Sequence, residues 1–500
     1  MAEQVYILFD FGASHGRCMA AKFDGAKIAM EVIHDFDNVP VNYAGVLYWD
    51  ILRLANELKD GIKKAYSLYP GAVSIGIDTW GCDFGYIDKH GKLLASPVNY
   101  RDEARFKYKA DMDAIFGGEY EVFRLGGTSP MSIMGIYELY ANSRQDSSAL
   151  KAADRLLMIP DLLNYYLTGI PTNEYTNATM TVMVDQAGKK WEQKITDRLQ
   201  FPSHLFRDLV MPGTKIGTLQ KRVAQEYNVP EIPVISVATH DTASAIAGVP
   251  LSCAGNWAFL SLGTWAILGV ESDLIYTDEK TFAYGFGNQG GCENKNNLVN
   301  LFTGLWVVQQ CYERWCDEAG RRIGWDAVNE AMGKSTDENM SFIDLDSSEF
   351  AHPNPNMPLV VQEYCAKHGM PVPQGMGAIA KCINESLVLK IKKSYHDIID
   401  LTGSDIDTLY VFGGGSKSRL VCQWVADALN IKLKAGPAET TSVGNVLMQM
   451  IGAGAISSLS EGRAIAAASA ADEIVEYYPE NTEKWSSHYD NFVKLLKGER

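Results

Sequence analysis

An apolar strand, a tight turn of small residues and a second apolar strand occur twice in this chain, at Val5–Phe23 and again at Trp257–Val270. In the first copy Val5–Asp10 reads as a buried strand, Gly12–Gly16 as the turn and Arg17–Phe23 as the returning strand. In the second, Trp257–Leu262 and Trp265–Val270 flank Gly263-Thr264. The repetition predicts two related domains, and 500 residues are enough to give each a buried core.

The segments around the hairpins fix the fold class. Asp50 can cap a helix in which Ile51, Leu54, Ala55, Leu58, Ile62, Ala65 and Tyr66 recur at three- and four-residue spacing up to Pro70, and a strand follows at Val73–Ile77. Strands and amphipathic helices alternate through Leu156–Ile159, Asp161–Leu167 and Val234–Ala238, the pattern of an α/β domain rather than an all-helical one. After the second hairpin a long helix starts near Ile379, with Ile383, Leu387, Ile391, Tyr395 and Ile398 along one face, and leads to a strand at Thr408–Phe412. The expected boundaries are an N-terminal domain over 1–249, a C-terminal domain over 250–470 and a helical tail over 471–500.

Charge narrows the partners. Lys plus Arg number 45 against 61 Asp plus Glu, a formal charge of −16 without a clustered basic stripe, so neither a nucleic-acid backbone nor an anionic membrane is an expected partner. A nucleotide is still admissible, because loop amides, helix N-termini and Mg²⁺ can hold phosphate without side-chain charge. The nine cysteines are odd in number and lack CxxC pairing, which points to a reduced, cytoplasmic protein. No leader is expected, since Met1 runs directly into the first strand. Pro233, His240, Asp241 and Pro250 interrupt the most hydrophobic stretch, Ile232–Val270, before it reaches the ~20 apolar residues a membrane span needs, so that stretch reads as core.

Five short segments carry chemistry. Asp10-Phe-Gly-Ala13-Ser14-His15-Gly16-Arg17 sets a carboxylate at a strand end, then small residues whose amides can face phosphate oxygens, then an Arg; together they can hold Mg-ATP, although an ordinary hairpin has the same outline. Gly263-Thr264 gains meaning from its likeness to that turn. At Val411-Phe-Gly-Gly414-Gly-Ser three glycines separate a strand from the helix Leu420–Leu429, a loop flat enough to lie against a planar ligand or a phosphate. Between Ile232 and Val270 the only titratable side chains besides Cys253 are His240 and Asp241, and an isolated carboxylate in so apolar a run is costly. Asp241 therefore reads either as a base in a partly dry pocket or as a helix cap. Asp78-Thr-Trp80-Gly81-Cys-Asp83 combines two carboxylates, an aromatic platform and a glycine, parts suited to gripping a polyhydroxylated ligand or to capping a turn, and Arg101 is a further candidate contact.

Taken together, the segments 10–17, 76–84, 99–102, 240–245, 263–265 and 413–415 resemble, in order, the FGGY carbohydrate kinases, and within them the rhamnulokinases, over roughly 5–463. The resemblance implies an actin-like and hexokinase-like (ribonuclease H-like) α/β fold, with two domains closing over a cleft that holds ATP and sugar. It implies Asp241 as the catalytic base, Asp10 as the Mg²⁺-linked carboxylate, and Ala13, Ser14, His15, Gly16, Arg17 and Thr264 as phosphate contacts. Gly414 falls on an adenine-side position and Gln309 on a nucleotide-side one, while Gly81, His240, Asp241 and Thr242 fall on sugar-contacting positions. A monomer or homodimer is expected.

Three positions depart from the rhamnulokinase pattern. His15 replaces a small polar residue, Leu301 stands where those enzymes carry a sugar-binding Asn, and Gln289 stands where they carry Glu. L-rhamnulose is thus the first expected substrate and L-fuculose the second, with other ketoses and polyols behind them. An ATP-driven actin-like binding protein without sugar chemistry, and a silent sugar-binding relative, are the rival classes.

Overall fold

The computed structural model describes residues 3–251, 255–336 and 340–498. Cys253 lies outside the described residues. The chain forms two compact units that are not contiguous in sequence: Met1–Cys253, Glu271–Leu298 and Glu439–Ala471 form the first, and Ala254–Val270, Val299–Ala438 and Asp472–Arg500 the second. Boundaries drawn along the chain at 249 and 470 do not follow this division, because two later segments return to pack on the first unit.

The first unit is built on strands β1 (Gln4–Phe11), β2 (His15–Phe23), β3 (Ile28–Asp37), β4 (Ser74–Thr79), β5 (Thr214–Thr218) and β6 (Pro233–Ser236), in the order β5-β6-β4-β1-β2-β3. β1 pairs antiparallel with β2 and parallel with β4. Alternation along β1 sends Ile7, Phe9 and Phe11 into a core with Leu54, Leu58 and Ile62 of helix α1 (Ile51–Leu68). The capping expectation holds there, since the Asp50 carboxylate accepts from Arg53 N at 3.0 Å. Tyr6 and Leu8 face a second core built with Val443, Val446, Leu447 and Met450. Those four belong to helix α5 (Thr440–Gly452), one of the returning segments. Asp10 and Asp78 share the parity of this second face, which is what brings them beneath α5.

Helix α2 (Asp241–Ala247) crosses α5 so closely that a Cβ on Gly444 would lie 1.8 Å from Ser244 O; only glycine permits that approach.

The second unit repeats the opening motif. β7 (Trp257–Leu262) pairs antiparallel with β8 (Trp265–Ser272) and parallel with β9 (Thr408–Phe412), and the sheet continues through β10 (Lys432–Ala435) and β11 (Val475–Tyr477). Helix α3 (Gly375–Thr402) buries Ile383, Leu387, Ile391 and Ile398, as the periodicity predicts, and packs against helix α4 (Arg419–Leu429). The tail is not wholly helical: β11 adds a strand by pairing with β10 ahead of a terminal helix, Thr482–Leu496. Three residues are too short a run to announce a strand by alternation. The described cysteines are free and buried, and no described helix is long and apolar enough to cross a membrane.

Candidate active site

Parallel register sets Asp10 and Asp78 side by side at the ends of β1 and β4. Antiparallel register sets Arg17 opposite Asp10, and its guanidinium Nη2 donates to Asp10 Oδ2 at 3.0 Å and to Glu439 Oε2 at 2.6 Å. Asp78 is fully buried; its Oδ2 accepts from Asn445 Nδ2 at 2.6 Å and its Oδ1 has no partner among the described residues. Burial raises both carboxyls above their ordinary range, against the pull of Arg17 on Asp10, and the charge of Asp241 pushes both in the same direction.

The first turn is held from outside. Gly12 N donates to His15 O at 2.9 Å, Asn38 N to Ser14 O at 2.9 Å, and Asn38 Nδ2 to Gly12 O at 2.9 Å. Ala13 is half-buried, Gly16 buried, and Ser14 and His15 exposed. The imidazole of His15 leans toward Asp37, 3.7 Å away, on the neighbouring strand.

Asp241 opens α2, with His240 as the preceding cap residue. Its Oδ1 accepts from Thr242 N at 2.6 Å and from Thr242 Oγ1 at 3.2 Å, so the carboxylate does not bond the later amides that a helix cap serves. Oδ2 has no partner among the described residues, and 34% of the side chain is accessible. Burial pushes the Asp241 carboxyl up to about 6 and His240 down to about 4. The imidazole, 3.5 Å from Asp241 Oδ1, is therefore neutral near pH 7.

Residues that the sequence analysis passed over hold this loop. Glu174, fully buried, accepts from Thr239 N at 3.1 Å, Thr239 Oγ1 at 2.7 Å and Thr176 Oγ1 at 2.5 Å. Asn177 Nδ2 bridges Trp80 O at 3.3 Å and Thr239 O at 3.2 Å. Glu174 caps the short helix Tyr175–Ala178, and an acid two residues before a Thr was its only trace in the sequence. Glu439 and Asn445 left no local signal, being more than 360 residues from their partners.

The sugar-side candidates divide. Gly81 packs against the loop: a Cβ there would lie 2.7 Å from Met180 Cγ and 3.2 Å from His240 Cδ2. Trp80 is 5% exposed and its ring lies 4.0 Å from that of Trp49. Asp83, by contrast, is sealed. Its Oδ1 accepts from Arg105 and its Oδ2 from Trp49 Nε1 at 2.6 Å, Trp80 Nε1 at 2.8 Å and Tyr100 N at 3.3 Å, which leaves no acceptor for a sugar hydroxyl. The expectation of direct contact is corrected for that reason. Arg101 is exposed, with its guanidinium 5.0 Å from the Tyr100 ring centroid. Gln289, at the place of the expected Glu, is buried, and its Oε1 has no partner among the described residues; Leu301 is half-buried on the strand Asn296–Thr303.

The second unit gathers the nucleotide-side candidates. Thr264 Oγ1 donates to Gln309 Oε1 at 3.0 Å, and Leu305 N donates to Gly263 O at 2.8 Å. The loop at Gly413–Gly415 lies on the end of β7: a Cβ on Gly415 would meet Leu262 Cγ at 2.4 Å, whereas a Cβ on Gly414 would meet nothing within 4 Å.

Two features fall outside this pattern. A recess of the first unit, about 890 Å³, is lined by residues such as Tyr48, Phe84, Arg105 and Glu138 and by none of 10–17 or 239–242, so chemistry rather than volume marks the site. Among the described residues no group of three His, Cys, Asp or Glu side chains stands ready to hold a metal ion.

Comparison with known proteins decides the family. The N-terminal domain of the FGGY family of carbohydrate kinases matches residues 5–248 and its C-terminal domain matches 258–453. The chain belongs to the FGGY family of carbohydrate kinases. It is 35% identical over 497 residues to a rhamnulokinase of Bacteroides thetaiotaomicron, covering 99% of this chain and 100% of that one. It is 33% identical over 499 residues to a rhamnulokinase of Enterococcus faecalis, covering 98% of each. Among solved structures, the xylulose kinase of Rhodospirillum rubrum superimposes with a TM-score of 0.81 at 13% identity, covering 99% of this chain and 98% of that one. The glycerol kinase of Plasmodium falciparum, solved with ADP, gives 0.79 at 16% identity over 99% and 98%. The fold is accordingly the two-domain α/β fold of FGGY kinases, and the protein is a sugar kinase with ATP as co-substrate.

Proposed function

We propose that this FGGY kinase transfers the γ-phosphoryl group of ATP to the primary hydroxyl of L-rhamnulose, giving L-rhamnulose 1-phosphate, with Asp241 as the base. The observation that carries the reading is the state of Asp241: one oxygen tied to Thr242, the other open, and a carboxyl raised only to about 6, so that it is ionised at neutral pH yet able to take a proton. Neutral His240 beside it can bond a sugar hydroxyl without competing for the proton. Thr264, Gln309 and Gly414 are the nucleotide contacts proposed on the second unit, and Arg17 and the small-residue turn Ala13–Gly16 are the phosphate contacts proposed on the first. Because the group transferred is a phosphoryl and the group that leaves is ADP, positioning and charge stabilisation supply most of the rate.

Mg²⁺ fits the carboxylates present. Arg17 pairs with one oxygen of Asp10, and Asp78 Oδ1 is a buried oxygen without a donor among the described residues. Asp10 would hold the ion together with nucleotide phosphates. When bound, it would supply neutralisation of phosphate charge.

The rhamnulokinase names and lengths of the relatives support L-rhamnulose. Leu301 and Gln289 favour keeping L-fuculose as the second reading, since Leu301 offers no hydrogen bond at the position of an Asn. A cytoplasmic monomer or homodimer completes the proposal. ATP consumption and sugar phosphate formation with L-rhamnulose, L-fuculose, D-xylulose, L-ribulose and glycerol test it. The highest kcat/KM is expected for L-rhamnulose; preference for another sugar overturns the substrate, and sugar-independent ATP turnover alone overturns the reaction.

A further inference from the structure

Behind Trp80 lies a buried ionic cluster with no part in the proposed chemistry. Arg105 is 0% exposed, and its Nη2 donates to Asp83 Oδ1 and to Glu138 Oε2, while Nη1 donates to Ile133 O. Asp83 is also 0% exposed. Taking such charges out of water costs several kcal/mol for each ion, and their mutual attraction offsets this only with good geometry, so the cluster is poor value as a source of stability. Its geometry has a direction instead. Two indole N–H groups, from Trp49 and Trp80, converge on the single oxygen Asp83 Oδ2.

Trp80 differs from Trp49 in what its main chain touches. Trp80 N donates to Phe11 O at 3.2 Å, at the entrance to the Gly12–Gly16 turn. Trp80 O accepts from Asn177 Nδ2, the amide that also holds Thr239 O in the loop leading to Asp241. The next residue, Gly81, packs on His240. The main chain of Trp49 donates to Pro97 O and touches neither the turn nor the loop.

We propose that Arg105 and Asp83 are positioning residues for phosphoryl transfer: Arg105 fixes Asp83, Asp83 fixes the Trp80 indole, and the Trp80 main chain sets the Phe11–Gly12 turn and the Thr239–Asp241 loop relative to each other. Burial raises the carboxyls of both Glu138 and Asp83, and the Arg105 guanidinium against them opposes that rise. At Asp83 the two indole N–H groups oppose it as well, so they and Arg105 together favour the ionised, stronger acceptor.

The inference rests on the reading of Asp241 as base, and the test separates the two. Trp80→Phe removes one N–H together with the smaller ring of the indole, and Trp49→Phe makes the same truncation at the other buried donor to the same oxygen, so the two variants are matched in lost packing; Asp83→Asn removes the charge while keeping the shape. Steady-state kinetics on the folded fraction, with sugar and ATP varied separately, are read beside the melting temperature. In Trp80→Phe and Asp83→Asn, kcat/KM for the sugar falls by about tenfold or more while KM for ATP stays within about twofold, and Trp49→Phe stays within about threefold of wild type. If Asp83→Asn does not fold, the comparison of the two Trp variants still decides. Sugar kinetics unchanged in Trp80→Phe, or an equal loss in Trp49→Phe, overturns the positioning role even where melting temperatures fall. Absence of sugar phosphorylation by the wild type overturns the kinase reading instead.

Discussion

Replacing Asp241 by Asn should remove activity and at the same time make the protein more stable near neutral pH. The isosteric amide keeps an oxygen for Thr242 N and Oγ1, so local packing is retained. What changes is charge. The folded carboxyl sits at about 6 against an ordinary 3.8, so ionising it costs folding free energy above pH 6 and costs nothing below the unfolded value. Roughly two units at about 1.4 kcal/mol each bound the penalty near 3 kcal/mol. With 34% of the side chain accessible, solvent screening reduces this to about 1–2 kcal/mol. Asn escapes that penalty and also relieves Asp10 and Asp78, both of which are raised by the Asp241 charge. The expected gain in melting temperature is on the order of 2 °C at pH 8, about half of that near pH 5, and none below about pH 4. Turnover should fall by about 10²- to 10⁴-fold. Thermal denaturation of both proteins at pH 8 and pH 5, with ADP release and sugar phosphate measured in parallel, provides the check. A variant less stable than wild type at pH 8, a gain independent of pH, or near-normal turnover would refute the reasoning.

Three further outcomes are expected. For wild type, kcat/KM for the sugar should decline as pH falls through about 6 with unit slope, since Asp241 must be ionised and His240 stays neutral down to about 4; a steeper limb would bring in a second group. Asn445→Ala should destabilise the fold by about 1–3 kcal/mol in urea titrations, because Asp78 Oδ2 loses its donor inside the core, and unchanged stability would contradict that pairing. Gly415→Ala should lower the melting temperature through its clash with Leu262, whereas Gly414→Ala should leave it unchanged and raise KM for ATP; equal melting losses in the two variants would contradict the loop geometry.

The α/β character and the doubled hairpin were legible along the chain, because local alternation and turn chemistry act within a few residues, and Asp241 stood out as one isolated charge in an apolar run. Asp50 as cap, and α3 with its apolar face, were legible for the same reason. Asp83 was not: its residue type suited a sugar contact, and only the convergence of Arg105, Trp49, Trp80 and Tyr100 shows that its oxygens are already occupied. Local spacing likewise left only a faint trace of Glu174, an acid two residues before a Thr, and nothing to place it beneath the loop. Tertiary structure alone returned residues 439–471 to the first unit, putting Glu439 on Arg17 and Asn445 on Asp78. The physical reason is range: periodicity and turn propensity act over a few residues, whereas the partner of a buried charge is chosen by which distant segment can cover it and satisfy it at once.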